Sequence, residues 1–212
     1  MDTETVNRNS KYESSYASQF LTLKCSGDIL NILNPINNPE KEISESMAMI
    51  SELRRFALSK PMHYTLVDAC AGNALTSTTA IHLLPFKNAI AIDRKKRARK
   101  WDSIRRFDYM ESDIDVIREF RFPFILSATH ACGDLAHKII DLYHITPSCE
   151  GLVLMPCCVG SFKNKIPSIF SSKMGRYITW AYDLMLSSSG EMHIDKKCLS
   201  PCNALVVASY PS

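Results

Sequence analysis

The sequence feature that most constrains the fold is an alternation, from residue 63 onward, between short apolar runs and segments with helical periodicity. Apolar runs this short, bounded by turn residues, are typical of strands buried on both faces of a parallel sheet. The predicted strands are residues 64–69, 88–93, 107–110, 122–129 and 151–156. Helices are predicted between them, at about 75–84, through 94–106, after 113 and at 132–145. Repeated strand–helix units predict an α/β domain with helices on both faces of a mostly parallel sheet.

The end of the chain breaks this alternation. Residues 191–197 and 203–210 are two β-prone runs joined by CLSPC, in which Pro201 favours a turn. They predict an antiparallel pair that closes the sheet and brings it to seven strands. The segment 159–182 before them mixes basic and aromatic residues, which suits either nucleic-acid contact or a helix packed on the sheet.

The chain divides into a lead-in and one domain. Residues 1–40 are polar and are predicted to be partly flexible, with one apolar patch at 20–23. Residues 41–212 form the predicted domain, which begins with an amphipathic helix at 44–58. No run approaches the roughly 20 apolar residues of a membrane span, and the amino terminus has no apolar core typical of a signal peptide. We therefore expect no membrane association and a cytoplasmic or nuclear location.

The eight cysteines do not indicate a disulfide-stabilised scaffold. The chain is long enough to bury a core, and reduced cysteines are expected where no export signal precedes the domain. Cys198 and Cys202 have spacing close to that of metal ligands, but no further Cys or His follows them. Four ligands are typical of a structural zinc site, so the sequence predicts no metal site.

Charge is concentrated in one segment. The formal net charge is +3, but Arg94 to Arg106 carries eight basic residues and one acid, a local charge of +7, so the remainder sums to 3 − 7 = −4. Such a cluster attracts phosphates, which makes RNA a candidate partner. A solvated helix face explains the same residues equally well.

The turn after the first predicted strand indicates a nucleoside cofactor. Open α/β sheets bind ligands beyond the carboxyl ends of their strands. Asp68 ends the first strand, Gly72 lies in the turn that follows, and Asp93 ends the second strand about twenty residues later, the spacing of an acid that binds a ribose diol. A dinucleotide pyrophosphate usually requires more glycines. One glycine, with Asp68 at the strand end, favours a cationic cofactor that carries an amino acid.

Several runs also resemble a known family. VDACAGNALTSTTAIHLL (67–84), AIDRKK (91–96), HACGDLAHKII (130–140) and LMPCC (154–158) resemble the class I S-adenosylmethionine-dependent methyltransferase family that includes an acceptor-stem tRNA 2′-O-methyltransferase. HACGD and PCC are its most specific motifs, and KCLSPCNALVVA is similar to its closing hairpin. The resemblance covers about residues 60 to 210 and implies a Rossmann-like fold with S-adenosyl-L-methionine as cofactor.

The resemblance also implies which residues bind the cofactor. By position, these are Asp68, Cys70, Gly72, Asn73 and Asp93. A further one is Asp113, which follows the third strand where such proteins often contact the adenine amino group. Cys70 and Ala74 depart from the family pattern, because turns of this kind usually have glycine at both places.

The candidate reaction centre follows the fourth and fifth strands. His130 is predicted beside the transferred methyl group, where it can act as the base that accepts a hydroxyl proton; a structural histidine is the alternative. Asp134 is expected to cap the next helix rather than to act in catalysis.

Three cysteines belong to the same region. Cys132, Cys157 and Cys158 either line or pack the cleft, or one of them attacks a pyrimidine as a thiolate. Packing is the favoured alternative, since buried cysteine behaves as a small hydrophobic residue.

Two functions remain open from the sequence. The first is an active methyltransferase, with RNA as one candidate substrate. The second is a methyltransferase-like protein that binds S-adenosylmethionine, a related nucleoside or a partner without turnover, which the missing glycines would explain.

Overall fold

A computed structural model describes residues 15–210. Seven strands form one sheet in the order β3-β2-β1-β4-β5-β7-β6. Their bounds are β1 Thr65–Ala69, β2 Asn88–Asp93, β3 Phe107–Glu111, β4 Phe124–Ala131, β5 Cys149–Pro156, β6 Glu191–Ile194 and β7 Ala204–Ser209. Strands β1 to β5 pair in parallel, whereas β7 pairs antiparallel with both β5 and β6. The predicted seven-stranded Rossmann-like sheet with an antiparallel closing pair is confirmed.

Helices cover both faces of this sheet. They are α1 Tyr16–Leu21, α2 Ser26–Leu33, α3 Pro39–Ser59, α4 Leu75–Leu83, α5 Leu135–Ile145, α6 Ser168–Met174 and α7 Arg176–Ser188. The core on one face involves α1 to α4, and the core on the other involves α5 and α7. Every residue of β1 is buried, as a strand covered on both faces requires. None of the helices within residues 15–210 is long and apolar enough to cross a membrane.

The described part of the predicted lead-in packs on the domain. Phe20 of α1 and Ile29 and Leu33 of α2 are almost fully buried in the core formed with α3 and α4. The Tyr16 hydroxyl donates to Asp195 Oδ2 at 2.6 Å, which ties α1 to the connection between β6 and β7. Residues 1–14 of the predicted lead-in lie outside the described residues.

The predicted helix in the basic segment is wrong. Between β2 and β3 the chain has no α-helix and only a single 3₁₀ turn, Trp101–Ser103. Trp101 is buried and stacks on Tyr109, with ring centroids 4.0 Å apart, and Lys100 N donates to Ile32 O of α2. The segment has too few apolar residues to form a helical face, so it crosses the sheet as an extended loop held by Trp101.

Candidate functional site

Two cavities lie side by side at the carboxyl ends of the parallel strands. One, of about 540 Å³, is lined on its apolar side by Ile114 and Leu135. The other, of about 390 Å³, is lined mainly by the turn after β1 and by His130. Cys70 and Asp93 line both cavities. The pair therefore fits an elongated ligand with one apolar end and one polar end, as S-adenosylmethionine has.

A larger cavity, of about 1120 Å³, lies at the opposite edge of the sheet. Its lining includes Tyr64 and Glu150, at the amino ends of β1 and β5, and Lys60 Nζ and the Tyr64 hydroxyl both donate to Glu150 Oε2. Parallel α/β sheets bind ligands at the carboxyl ends of their strands. The smaller pair is therefore the candidate functional site.

The turn after β1 has three residues in the left-handed region of backbone space. The φ angles are +58° at Cys70, +54° at Gly72 and +56° at Ala74. Glycine adopts this conformation without strain, whereas other residues hold it only when their surroundings impose it. Cys70 and Ala74 are the two departures from the glycine pattern. The fold thus keeps the turn in its glycine-like shape despite both side chains.

Asp93 connects the turns that follow β1 and β2. Its Oδ2 accepts a hydrogen bond from Gly72 N at 2.9 Å, and its Oδ1 accepts one from Lys95 N at 3.2 Å. The carboxylate is half-buried and lies between the apolar and polar cavities. This position suits the predicted contact with a ribose diol.

Asp68 lines neither of the two cavities. Its Oδ2 accepts hydrogen bonds from Ser77 N and Oγ, at 3.3 and 2.6 Å, and its Oδ1 accepts one from Ser127 Oγ at 3.2 Å. Burial raises the pKa of Asp68 to about 6, although these hydrogen bonds oppose the rise. The structure thus places Asp68 beneath the turn, where it fixes the start of α4, and not at the predicted contact with the cofactor's amino acid.

The remaining predicted cofactor residues have contrasting environments. Asn73 lines the polar cavity, donates to Glu42 Oε2 at 3.3 Å and accepts from Arg99 Nη2 at 3.2 Å. Burial, together with Asp93 and Asp68, raises the pKa of the Cys70 thiol to about 12, so this residue lines the site as a neutral group.

Asp113 lies at the rim of the apolar cavity rather than in its lining. The carboxylate accepts hydrogen bonds from Asp115 N, Lys138 Nζ and Arg94 Nε, and these three donors hold its pKa well below the ordinary range. Its predicted contact with the adenine amino group stays a prediction.

His130 lines the polar cavity and pairs with a carboxylate that the sequence did not reveal. His130 Nε2 lies 2.8 Å from Oε2 of Glu45, which is fully buried on α3. Burial favours a raised pKa for Glu45, but the neighbouring His130, Ser200 and Lys41 outweigh it and hold the pKa below its usual value. Glu45 is therefore ionised at neutral pH.

The backbone at His130 is also unusual. Its φ is +64°, and the pairing of β4 with β5 has an irregularity between Thr129 and Ala131. A left-handed residue other than glycine costs on the order of 1–3 kcal/mol and is typical of functional sites. The bulge turns His130 toward α3 and the cavity.

Glu45 could not be assigned from sequence, because it lies 85 positions before His130 and carries no motif of its own. Within the predicted helix at 44–58 it is one of several charged residues, and nothing local distinguishes it from the others.

The three predicted cysteines line neither of the two cavities. The Sγ atoms of Cys132 and Cys157 lie 2.50 Å apart and are joined as a disulfide, whereas the sequence predicts reduced cysteines. Sequence reasoning missed this pair because the two residues are 25 positions apart. The predicted packing role fails for Cys132 and Cys158, which are exposed. The alternative role of a thiolate nucleophile stays a prediction.

Asp134 does not cap α5, which corrects the expectation. Its side chain makes no capping hydrogen bond to the helix. Instead, the carboxylate accepts from Ser161 N at 2.7 Å and from Ser161 Oγ at 3.2 Å, so it holds the loop after β5.

The basic segment borders the site. Residues 95–97, together with Arg99 and Asp93, line a shallow cavity of about 440 Å³, and Arg97 also lines the polar cavity. Arg94 is paired with Asp113, but Lys95 and Lys96 have no acidic partner within salt-bridge distance among residues 15–210.

Comparison with known proteins assigns the family. A family model described as "Methyltransferase domain" matches residues 40–165. Among solved structures, the chain is similar to the precorrin-6y C5,15-methyltransferase of Geobacter metallireducens GS-15, with a TM-score of 0.51, 15% identity, and coverage of 84% of this chain and 91% of that one. It is also similar to MtNAS, solved in complex with MTA and tNA, with a TM-score of 0.50, 8% identity, and coverage of 92% and 69%. No curated protein matches.

The family match covers more than half of the chain and includes β1 to β5 with most of the candidate site. Likeness to the solved structures supports the Rossmann-like fold alone, since identity is low. The chain belongs to the methyltransferase domain family and is an S-adenosylmethionine-dependent methyltransferase.

Proposed function

We propose that this enzyme transfers the methyl group of S-adenosylmethionine to a hydroxyl oxygen of RNA, with His130 accepting the hydroxyl proton. One observation carries the proposal: His130 Nε2 lies 2.8 Å from Oε2 of the buried Glu45 at the polar cavity, beside a loop rich in unpaired basic residues.

The histidine and the carboxylate have complementary roles in this proposal. A hydroxyl loses its proton as its oxygen forms the new bond to carbon, so a base within hydrogen-bond distance lowers the barrier. In this proposal the Glu45 carboxylate, 2.8 Å from Nε2, favours the tautomer with the proton on Nε2, and Nδ1 of His130 accepts the substrate proton. The ionised Glu45 then stabilises the imidazolium, as a buried carboxylate does beside a catalytic histidine.

The cofactor's sulfonium supplies an electrophilic methyl group when bound. The chain's own contribution is to align the acceptor with it, which is worth several kcal/mol in well-oriented reactions. In this proposal Asp93 and the turn with left-handed residues 70, 72 and 74 hold the cofactor, while the bulge at His130 positions the base.

The basic loop supports RNA as the class of substrate. Lys95, Lys96 and Arg97 are exposed and begin two residues after Asp93, so phosphates bound there would hold a nucleic acid beside the polar cavity. Phosphate contacts of this kind position a nucleic acid without reading its sequence. A hydroxyl acceptor in RNA is most abundantly the ribose 2′-hydroxyl.

Labelled S-adenosylmethionine tests the proposal. We expect incubation with total cellular RNA, protein and small metabolites to place the label in RNA, and alkaline hydrolysis to leave labelled dinucleotides, because a methylated 2′-oxygen cannot attack the neighbouring phosphate. Label only in protein or metabolites, or no label at all, would overturn it.

A charge variant tests the loop separately. The double variant Lys95→Glu/Lys96→Glu should raise KM for RNA about tenfold or more and flatten its salt dependence, since each phosphate contact contributes about one unit of slope. Lys87→Glu is the matched control, because Lys87 is exposed just before β2, at the opposite edge of the sheet. Equal KM values in the two variants would contradict the role of the loop.

A further inference from the structure

Three sulfur atoms meet at the ends of β4 and β5, outside the methyl-transfer cavities. Cys132 follows β4, while Cys157 and Cys158 follow β5. Their three Sγ atoms all lie within 4.8 Å of one another. The strand register explains this meeting. Ala131 pairs with Pro156 at the last position of the ladder, so the next residues, Cys132 and Cys157, face one another with Cα atoms 5.5 Å apart.

We propose that, in its reduced state, this thiol cluster, formed by Cys132, Cys157 and Cys158, binds one Zn²⁺ ion. In tetrahedral zinc sites Zn–S bonds of about 2.3 Å place the sulfurs roughly 3.8 Å apart. The Sγ atoms of Cys157 and Cys158 are 3.5 Å apart, and all three sulfurs fall within 4.8 Å. The Cα atoms of Cys132 and Cys157, 5.5 Å apart, are already close enough for both side chains to share one ion.

Exposure distinguishes these cysteines from those of the core. Cys132 and Cys158 are exposed, in contrast to the fully buried Cys149, so hydrophobic packing does not account for their position. Packing does not explain an exposed Cys158 thiol beside the Cys132–Cys157 pair, whereas thiolates are strong ligands for thiophilic cations.

The loops that carry the thiol cluster are fastened to one another, as a metal site requires. Gly133 N donates to Cys158 O at 3.2 Å, and the Asp134 carboxylate holds Ser161 N at 2.7 Å. The main chains approach so closely at Gly160 that a Cβ there would lie 2.6 Å from the carbonyl carbon of Gly133. In metal sites, the residues that bind the ion are typically oriented by hydrogen bonds to surrounding groups that do not bind it themselves.

A fourth thiol lies beside the thiol cluster. Cys202, from the connection between β6 and β7, donates through Sγ to Cys157 O at 3.0 Å. Three protein thiolates leave one tetrahedral position for water or for another donor. The thiol cluster lies outside both cavities of the candidate functional site, so zinc binding there is independent of the RNA substrate.

The chemistry balances with a small-molecule thiol as reductant. Two equivalents of that thiol reduce the Cys132–Cys157 disulfide, yielding two protein thiols and one small-molecule disulfide. Zinc then replaces the thiol protons, so three protons are released for each ion bound. Oxidation and metal binding therefore compete for the same sulfur atoms.

Metal content provides the first test. The full chain, purified with a thiol reductant and exposed to Zn²⁺, should retain about one zinc per chain after gel filtration. The variants Cys132→Ser, Cys157→Ser and Cys158→Ser should each lose most of it, while Cys25→Ser, at the start of α2, keeps the wild-type content. Zinc below one tenth per chain in the reduced wild type, or copper in its place, would overturn the assignment.

Cobalt provides a second test that remains informative if a variant folds poorly. Co²⁺ added to the reduced wild-type chain should give the sulfur-to-cobalt charge-transfer absorption of three thiolates, and titration with Zn²⁺ should abolish it. Peptide mapping after alkylation detects the alternative, a disulfide that is not reduced. A Cys132–Cys157 crosslink that persists in excess reductant, with no charge-transfer absorption, would show a disulfide in place of the metal site.

Discussion

Helix α3 contacts two histidines through two glutamates seven residues apart, and only the first of these pairs lies at the polar cavity. Glu45 pairs with His130 at 2.8 Å, and Glu52 pairs with His193 at 2.9 Å. The residue types and the distances are nearly the same in the two pairs. The surroundings differ, because the Glu45 side chain is 1% exposed and that of Glu52 is 18% exposed.

The backbone separates the two pairs further. His130 has a φ of +64° in a bulge at the carboxyl end of β4, whereas His193 lies within β6 near the closing edge of the sheet. A His–Glu pair is therefore not a catalytic feature by itself. What distinguishes Glu45–His130 is a strained backbone, a buried carboxylate and a place on the lining of the cavity.

Replacing the two histidines gives the largest expected contrast. His130→Ala should lower kcat by about 10²- to 10⁴-fold, the usual contribution of a general base, and leave the dissociation constant for S-adenosylmethionine near the wild-type value. His193→Ala should leave both quantities unchanged. Single-turnover rates and calorimetric titration measure the two effects, and an equal kcat in the two variants would remove His130 from the mechanism.

Asp93→Ala separates cofactor binding from proton transfer. This change removes the acceptor for Gly72 N and the acid facing the predicted ribose position, so the dissociation constant for S-adenosylmethionine should rise about 100-fold, roughly 3 kcal/mol. Asp108→Ala, an exposed carboxylate on β3, is the matched control. Wild-type affinity in the Asp93 variant, measured by calorimetry, would sink the cofactor assignment of this cavity.

Replacing the two glutamates gives a smaller contrast. Glu45→Gln keeps the side-chain volume but removes the negative charge that stabilises the His130 imidazolium, so kcat should fall about 10- to 100-fold with cofactor affinity preserved. Glu52→Gln, on the same helix, should not change kcat. If the Glu45→Gln enzyme retained full turnover and an unaltered pH profile, the buried carboxylate would serve only the fold.

The fold was largely predictable because its signal is local. Buried parallel strands show as short apolar runs, and β2 occupies the predicted residues 88–93 without a shift. The basic crossover was not predictable in the same way. Its charged residues suggest a helix by propensity, but the burial of Trp101 against Tyr109 is a tertiary contact that no local pattern reveals.

The sequence predicted only those parts of the candidate site that are formed by strand ends and the turns that follow them. Asp93 and Gly72 follow from strand ends and spacing, and the structure brings them within hydrogen-bond distance. Asp68 also ends a strand, yet its carboxylate lies beneath the turn and accepts a hydrogen bond from Ser77 Oγ. The sequence could not predict this, because it does not show the side-chain rotamer or the packing around it. Glu45 and the Cys132–Cys157 contact depend on pairing between distant segments, which requires the fold first.

The smallest expected effect is the contribution of the Glu52–His193 pair, which does not line the polar cavity, to the stability of the fold. The Glu52 carboxylate, together with the nearby Glu191, raises the pKa of His193 above its usual value of 6.5. A histidine with a raised folded-state pKa contributes stability that is fully present below 6.5 and is lost as the pH rises through the folded-state value. Because the His193 side chain is 39% exposed, solvent screening limits the gain to below about 1 kcal/mol.

Urea unfolding of wild type and His193→Gln at several values between pH 6 and pH 8.5 measures this contribution. The free energy of unfolding of the wild type should exceed that of the variant at pH 6, and the difference should shrink as the pH rises, since the neutral imidazole loses its attraction to Glu52 and Glu191. Taking the difference at each pH removes the other titrating groups common to both chains. If the difference in free energy of unfolding stayed constant or grew with pH, His193 would stabilise the fold through packing and not through its charge.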